Sequence, residues 1–203
     1  MDYLYSLVLF AIVSSATPGP NNILLMTSGL NFGIKRSLPV MSGICFGFAF
    51  MLFLVGIGFG QVFELYPSLH QIIKVIGVSY LLYLAWLISG SSGRLSTKEQ
   101  KKPLTFLNGA LFQWVNAKAW VVATGACAAF TIQGAELFNQ TLTLSGTFLI
   151  VSFPSVGIWL FFGSWLKRYL NNEANRKWFN WTMSGLLVVS VLPVTLELVE
   201  QYT

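Results

Sequence analysis

The chain has 203 residues, of which 55% are hydrophobic and only 9% are charged, and its formal net charge is +5. Soluble globular domains carry charge on about a quarter of their residues. The composition therefore excludes an ordinary soluble domain and predicts a membrane protein.

Long uncharged segments follow one another along the chain. Those without any Lys, Arg, Asp or Glu are residues 3–34, 37–63, 75–93, 137–166 and 178–196. A further segment, residues 103–135, carries one charge, at Lys118. Because about 20 apolar residues span a bilayer, each segment is long enough to cross. We predict an all-α membrane protein with six transmembrane helices, at about residues 3–30, 38–62, 71–89, 104–131, 144–166 and 181–199.

Basic residues lie in alternate connections between these predicted helices. Ten of the twelve do so: Lys35, Arg36, Arg94, Lys98, Lys101, Lys102, Lys167, Arg168, Arg176 and Lys177. An excess of Lys and Arg marks the cytoplasmic side of a membrane protein. The basic charge thus indicates a lipid bilayer and no nucleic acid as its partner, and it places both termini outside. Asp2 and the absence of a basic cluster before the first apolar run predict a retained helix instead of a cleaved signal peptide.

A polar stretch, "SGSSGRLSTKEQKKP", separates the third and fourth predicted helices. Its Gly, Ser and charged residues predict a flexible cytoplasmic linker at residues 90–103. Each half, 1–89 and 104–203, then contains three helices. Since three is odd, the second half enters the membrane from the opposite side, which is the geometry of an inverted repeat in one transporter domain of residues 1–203.

The first predicted helix is interrupted near its middle by "TPGPNN", residues 17–22. Pro18 and Pro20 lack N–H groups, so the carbonyls of Ser14 and Ala16 lose their usual helical partners. Irregular backbone at this depth is tolerated only against protein or a watery cavity. The interruption predicts a break in the helix, with a simple packing kink as the structural alternative.

The same residues also read as the start of a second helical segment. Thr17 would be its N-cap and Pro18 its first residue, which leaves the N–H groups of Gly19 and Asn21 free. A zwitterion fits such a break, with its carboxylate at the helix N-terminus and its ammonium near the freed carbonyls. We therefore predict a substrate site that includes Thr17 to Asn22.

The fourth predicted helix carries a corresponding interruption, "QWVNAKAW", residues 113–120. Paired interruptions of this kind are the best sequence indicator of a transporter's binding site. A cation near the centre of a span costs about 3 kcal/mol and usually faces the interior of the bundle. Lys118 is expected either to bind a substrate carboxylate or to bond to the broken first helix, with Asn116 supplying neutral hydrogen bonds across the gap.

The predicted substrate-binding set is therefore Thr17, Pro18, Gly19, Pro20, Asn21, Asn22, Asn116 and Lys118. No cofactor, metal ion or catalytic residue is expected. A membrane thiol–disulfide electron carrier using Cys45 and Cys127 is an alternative, although neither cysteine has a basic or proline-flanked setting. An intramembrane hydrolase would need a partner for the only histidine, His70, which is predicted to lie in an outer loop.

Three motifs resemble the LysE/RhtB family of bacterial amino-acid exporters: "TPGPNN", "GVSYLLYLAW" at residues 77–86 and "FQWVNAKAW" at residues 112–120. The resemblance implies a six-span protein of the bacterial inner membrane. It also implies export of amino acids or related small zwitterions, driven by the proton gradient, and it leaves a homo-oligomer open. Ala117 departs from the family, which commonly has proline there, so we expect a shallower second break.

Overall fold

The computed structural model describes residues 2–59, 67–90, 102–132, 134–170 and 172–200. These residues form α-helices and no strand, which confirms the all-α prediction. The eight α-helices are α1 Asp2–Ala16, α2 Pro20–Phe32, α3 Ile34–Leu54, α4 Pro67–Ser89, α5 Phe106–Val115, α6 Ala117–Phe130, α7 Leu137–Leu166 and α8 Glu173–Glu200. A π-helical turn, Val55–Phe59, follows α3.

Both predicted interruptions break their helices. The first leaves residues 17–19 non-helical between α1 and α2, whose axes are bent by 58°. The second leaves only Asn116 between α5 and α6, with extended backbone at φ −88° and ψ 103°. The second break is the shorter of the two, as expected where alanine replaces proline, and α6 begins at Ala117 itself.

Helix α7 lies at the centre of the packing. It contacts α1, α2 and α3, while α3 packs on α5 and α4 packs on α8. The two parts of the first broken helix thus pack on α7, and the first part of the second broken helix packs on α3. This arrangement holds the two breaks close together.

Glycines allow α2 and α7 to approach closely. A Cβ atom added to Gly163 would overlap the carbonyl oxygen of Met26, and one added to Gly29 would overlap that of Leu160. Small residues let helix backbones approach each other inside a membrane, where apolar contact alone gives little association energy. The position of α2 on α7 therefore depends on both glycines.

Gly163→Ala is expected to lower the thermal stability of the purified protein, whereas Gly146→Ala is not. Overpacking a tight contact costs about 1–3 kcal/mol. A Cβ atom at Gly146 meets no atom within 4 Å, so this variant is a matched control on the same helix. Melting in detergent measures the difference. Equal melting temperatures for the two variants would show that α2 and α7 do not depend on this contact.

The helices have the length and surface of a membrane protein. By length and composition, two described helices can cross a bilayer, Ile34–Gly58 and Leu137–Leu166, and the bent pair of α1 and α2 makes a third if it counts as one span. Large apolar side chains face outward, including Val121 at 70% exposure and Ile150 at 74%. Such a surface suits contact with lipid. Six crossings and the inverted repeat remain predictions.

Several helix boundaries differ from the predicted ones. Helix α7 begins at Leu137 instead of residue 144, and α8 begins at Glu173 instead of residue 181. The Asn172 side chain accepts a hydrogen bond from the Ala174 N–H at 2.9 Å, which caps the start of α8. Apolar runs mark the part of a helix that lipid can cover, and polar capping extends the helix beyond it. His70 lies within α4 and not in a loop.

Most of the linker predicted at residues 90–103 lies outside the described residues. The same is true of Arg94, Lys98 and Lys101, and of Met1 and residues 201–203. The division into two repeats and the orientation of the termini therefore remain predictions.

Candidate functional site

A cavity of about 450 Å³ lies between the two helix breaks. This central cavity is partly open, and the volume includes that open space. Its polar wall consists of Ser14, Ser15, Gly19, Asn21, Asn22, Asn116, Lys118 and Ser152. Its apolar wall consists of Ile44, Phe48, Ala119, Val122 and Val156. Five of the predicted site residues thus line one cavity.

The carbonyl groups at the end of α1 are bound by side chains of the protein itself. The Asn22 Nδ2 group donates to the carbonyls of Ser15 at 3.1 Å, Ala16 at 3.4 Å and Thr17 at 2.7 Å. The Trp159 indole N–H donates to the Ala16 carbonyl at 3.0 Å. We expected a substrate ammonium near these carbonyls. Protein donors occupy that position, because buried carbonyls without partners would be costly.

Lys118 lies against the first break. Its Nζ atom donates to the carbonyls of Thr17 at 2.6 Å and Pro18 at 3.4 Å. The ammonium therefore sits at the negative C-terminal end of α1. Gly19 makes room for it, since a Cβ atom there would lie 2.8 Å from Lys118 Cδ. An ammonium has three N–H donors, so Lys118 can hold the break and also reach a ligand in the cavity.

The start of α2 differs from the prediction. Pro20 is its first residue and Gly19 its N-cap, whereas Thr17 and Pro18 were predicted. Thr17 closes α1 instead, because its N–H donates to the Val13 carbonyl at 3.0 Å and its hydroxyl donates to the same oxygen. The N–H groups at the start of a helix lack intrahelical acceptors, so we still expect those of Gly19 and Asn21 to be available to a ligand.

A pair of amide side chains bridges the two broken helices. Asn21 Nδ2 donates to Gln113 Oε1 at 2.9 Å, and Gln113 Nε2 donates back to Asn21 Oδ1 at 3.0 Å. Asn116 was expected to make this crossing. Its side chain instead accepts from the Lys118 N–H at 3.2 Å and caps α6. Gln113, in α5, lies one helical turn before the break and so reaches α2.

Asn22 presents an acceptor without a partner. The side chain is 2% exposed, and its Oδ1 atom has no hydrogen-bond partner among the described residues. Its Nδ2 group donates to three carbonyls, which fixes the orientation of the amide. A buried acceptor left unpaired costs free energy. Since Asn22 lines the central cavity, this oxygen can accept from a ligand's ammonium.

Sequence reasoning missed four polar residues near the central cavity. Gln113 and Trp159 bond to the first broken helix, and the hydroxyl oxygens of Ser15 and Ser152 lie 3.4 Å apart. Gln113 is wholly buried. A glutamine one turn before an interruption and serines flanking prolines are signals that the sequence carries. Pairing them requires the packing of α1, α2 and α5 to be known.

The two cysteines lie in separate parts of the core. Cys45 packs in a cluster with Leu24, Val40 and Leu84. Cys127 packs beside a second cluster that includes Ala123 and Leu144, and its Sγ atom contacts the Leu52 carbonyl oxygen at 3.9 Å. This separation gives no support to a thiol–disulfide electron carrier, whose two sulfurs must meet.

Comparison with known families gives a match over most of the chain. The profile of the family described as LysE type translocator matches residues 12–198, a range that includes both breaks and the whole central cavity. The chain belongs to the LysE family. Together with its apolar helices, this membership makes it a membrane protein of the translocator class.

Curated relatives carry the name cysteine/O-acetylserine efflux protein. The one from Escherichia coli K12 is 30% identical over 140 residues, which cover 67% of this chain and 69% of the relative. The one from Klebsiella pneumoniae is 28% identical over 191 residues, covering 93% of this chain and 94% of the relative. These names describe transporters and not enzymes. No solved structure matches the chain.

Proposed function

We propose that this LysE-family protein is a secondary transporter that exports amino acids or related small zwitterions across the bacterial inner membrane. The observation that carries the proposal is the central cavity between two broken helices. It offers cationic and N–H donors from Lys118 and the start of α2, and an unpaired acceptor at Asn22. Donors and an acceptor of this kind suit the two charged ends of a zwitterion.

The proposed substrate position follows from these groups. The carboxylate lies near the N–H groups of Gly19 and Asn21, with Lys118 on its other side, and the ammonium donates to Asn22 Oδ1. The Ser15 and Ser152 hydroxyls line the same cavity and are available to a polar side chain of the substrate. The relatives' names make cysteine and O-acetylserine the first substrates to test.

Helix packing supports the proposed inverted repeat in one domain of residues 1–203. If the halves 1–89 and 104–203 are exchanged, the contact between α1 and α7 corresponds to that between α5 and α3. The contacts between α3 and α7 and between α4 and α8 correspond to themselves. We propose six crossings, with both breaks near the midplane, as the arrangement that agrees with these matching contacts.

Coupling to the proton gradient is part of the proposal. Lys118 is the ionisable side chain among the described residues that line the central cavity. A lysine amine can bind and release a proton as access to the cavity changes. Its contacts with the Thr17 and Pro18 carbonyls connect this proton to the geometry of the first break.

Both termini are proposed to lie outside, because most basic residues lie in alternate connections between the predicted membrane spans and mark the cytoplasmic side. Single cysteines at Ser92 and Thr203, introduced in a cysteine-free protein, test the orientation. In intact cells an impermeant thiol reagent is expected to label Thr203→Cys and to leave Ser92→Cys unlabelled. The reverse pattern would place the termini in the cytoplasm.

Export should not need either cysteine. Cys45→Ser combined with Cys127→Ser is expected to keep the export rate within about twofold of wild type, because neither cysteine lines the central cavity. The measurement is efflux per amount of protein in the membrane. Loss of all export in a well-folded double variant would show that a thiol is needed, as the electron-carrier hypothesis requires.

Efflux from cells tests the proposed function as a whole. Cells that express the protein are loaded with radiolabelled amino acids one at a time, beginning with cysteine and O-acetylserine. We expect faster efflux of at least one small zwitterion than from cells with an empty vector, and slower efflux when the proton gradient is collapsed. Equal efflux from both kinds of cells for every amino acid would refute the proposal.

A further inference from the structure

A second cavity, partly open and with about 410 Å³ of space including its opening, lies at the ends of α2 and α4. It is lined by Leu24, Thr27, Ser28, Asn31 and Phe32 of α2, Leu87 and Ile88 of α4, and Lys102 and Leu104 before α5. The ends of these elements are followed in the chain by Lys35 and Arg36, at the start of α3, and by Lys102, all of which belong to the basic clusters predicted to be cytoplasmic. The second cavity therefore opens on the proposed cytoplasmic side.

Most polar side chains of the second cavity already have partners. The Asn31 amide exchanges hydrogen bonds with Asn180 at 3.1 and 3.2 Å and also donates to the Thr27 carbonyl at 2.9 Å. The Ser28 and Ser37 hydroxyl oxygens lie 2.7 Å apart. These bonds hold the wall of the second cavity in place, and both side chains therefore already have partners.

The Thr27 hydroxyl is the exception. The residue is 2% exposed, and its Oγ1 atom has no hydrogen-bond partner among the described residues. A hydroxyl both donates and accepts, and a buried polar atom without a partner calls for an explanation. A ligand in the second cavity would supply the missing partner.

Lys102 indicates which charge a ligand of the second cavity should carry. It is the ionisable side chain among the described residues that line the second cavity, and it is exposed. Its ammonium suits a carboxylate, and it repels a ligand with net positive charge. Leu24, Leu87 and Leu104 provide an apolar surface for the rest of the molecule.

One face of α2 connects the two cavities. Asn21 lines the central cavity, while Leu24, Thr27 and Asn31 line the second. Residues three or four apart share a helix face. Leu24 is the residue of this face that follows Asn21 by three positions, and it is 1% exposed.

We infer that the second cavity is an entrance site, where Lys102 and the Thr27 hydroxyl bind a small carboxylate-bearing, non-cationic metabolite before it passes along α2 to the central cavity. The inference rests on the proposed export function for the direction of passage. Beyond the proposed function, it adds a second binding site and a selection against cationic amino acids.

Uptake of radiolabelled O-acetyl-L-serine into inside-out membrane vesicles tests the entrance site kinetically. Lys102→Gln and Thr27→Val are each expected to raise the half-saturating concentration about fivefold, the effect of one lost hydrogen bond, with the maximal rate within about twofold of wild type. Thr27→Ser keeps the hydroxyl and should restore the wild-type value. Lys35→Gln, which removes an exposed charge on the same side, is the matched control.

Unchanged half-saturation in both variants would overturn the entrance site. So would a lower maximal rate with unchanged half-saturation, since that result indicates a structural role. Absence of uptake by the wild-type protein would count against the proposed function for this substrate. The entrance site is then decided by a measurement that needs no transport.

That measurement is protection of a cysteine in the second cavity from a thiol reagent. In purified protein with Cys45→Ser, Cys127→Ser and Leu104→Cys, O-acetyl-L-serine is expected to slow the reaction with N-ethylmaleimide at least about twofold. Its methyl ester, which lacks the carboxylate, should not protect, and added Lys102→Gln should remove protection. Leu38→Cys, on an exposed part of α3, is the control. Equal rates with and without O-acetyl-L-serine, or protection that persists with Lys102→Gln, would refute the site.

Discussion

Lys118→Gln is expected to insert and fold but to lose export by about tenfold to a hundredfold. Charge-assisted hydrogen bonds contribute about 1.5–3 kcal/mol, which corresponds to that range. The substitution removes the ammonium that lies 2.6 Å from the Thr17 carbonyl and lines the central cavity. Efflux is measured per amount of folded protein in the membrane.

Two further variants are compared with Lys118→Gln. Lys118→Arg keeps the charge, but its planar guanidinium differs in shape from a compact ammonium, so we expect export to be impaired as well. Lys35→Gln removes a charge that lies on neither cavity and should export normally. If folded Lys118→Gln protein exported at the wild-type rate, with unchanged substrate preference and pH dependence, the proposed central role would be wrong.

Combining Pro18→Ala with Pro20→Ala is expected to reduce export at least about tenfold without preventing insertion. Each alanine restores an N–H group and removes the ring that blocks a continuous helix, a difference of about 3 kcal/mol per residue in helix preference. Straightening α1 and α2 from their 58° bend would move Gly19 and Asn22 away from Lys118. Efflux and the amount of folded protein are both measured.

Pro39→Ala is the matched control for the double variant. Pro39 lies in α3 without breaking it, and it lines neither cavity. We expect the control to export normally. Normal export by the variant at Pro18 and Pro20 would reduce the first break to a kink that only shapes helix packing.

The two breaks could be predicted from local chemistry. Pro18 and Pro20 lack N–H groups and therefore interrupt a helix in any surroundings. A bond from Lys118 to the first helix was one of the two roles predicted for this lysine. The structure contains that bond, to the carbonyls of Thr17 and Pro18. A break of this kind depends on the residues next to it in the chain and little on tertiary contacts, so it can be predicted from the sequence.

The partners of the amide side chains could not be predicted in the same way. Asn21 and Gln113 are 92 residues apart in sequence, and their bond depends on how α2 and α5 are rotated against each other. Asn116 sat at the predicted interruption, yet its oxygen turns back to cap α6. The direction of a side chain at a break depends on tertiary packing, which cannot be read from composition and spacing.

The start of α2 shows a finer limit. Thr17 and Pro18 satisfy the sequence pattern of an N-cap followed by proline as well as Gly19 and Pro20 do. The Thr17 N–H bonds to the Val13 carbonyl at 3.0 Å and continues α1 instead. The sequence pattern alone does not choose between these two starts, and in the structure the bonds of Thr17 to Val13 favour the later one.

The most direct test of the account is efflux from proteoliposomes that contain the purified protein. The vesicles are loaded with radiolabelled O-acetylserine or cysteine, and a pH gradient, acid outside, is imposed or omitted. We expect the wild-type protein to release substrate faster than protein-free liposomes do, faster still with the gradient, and Lys118→Gln to release it little faster than protein-free liposomes. Release equal to that of protein-free liposomes for both substrates and for the other small amino acids, with or without the gradient, would contradict the account.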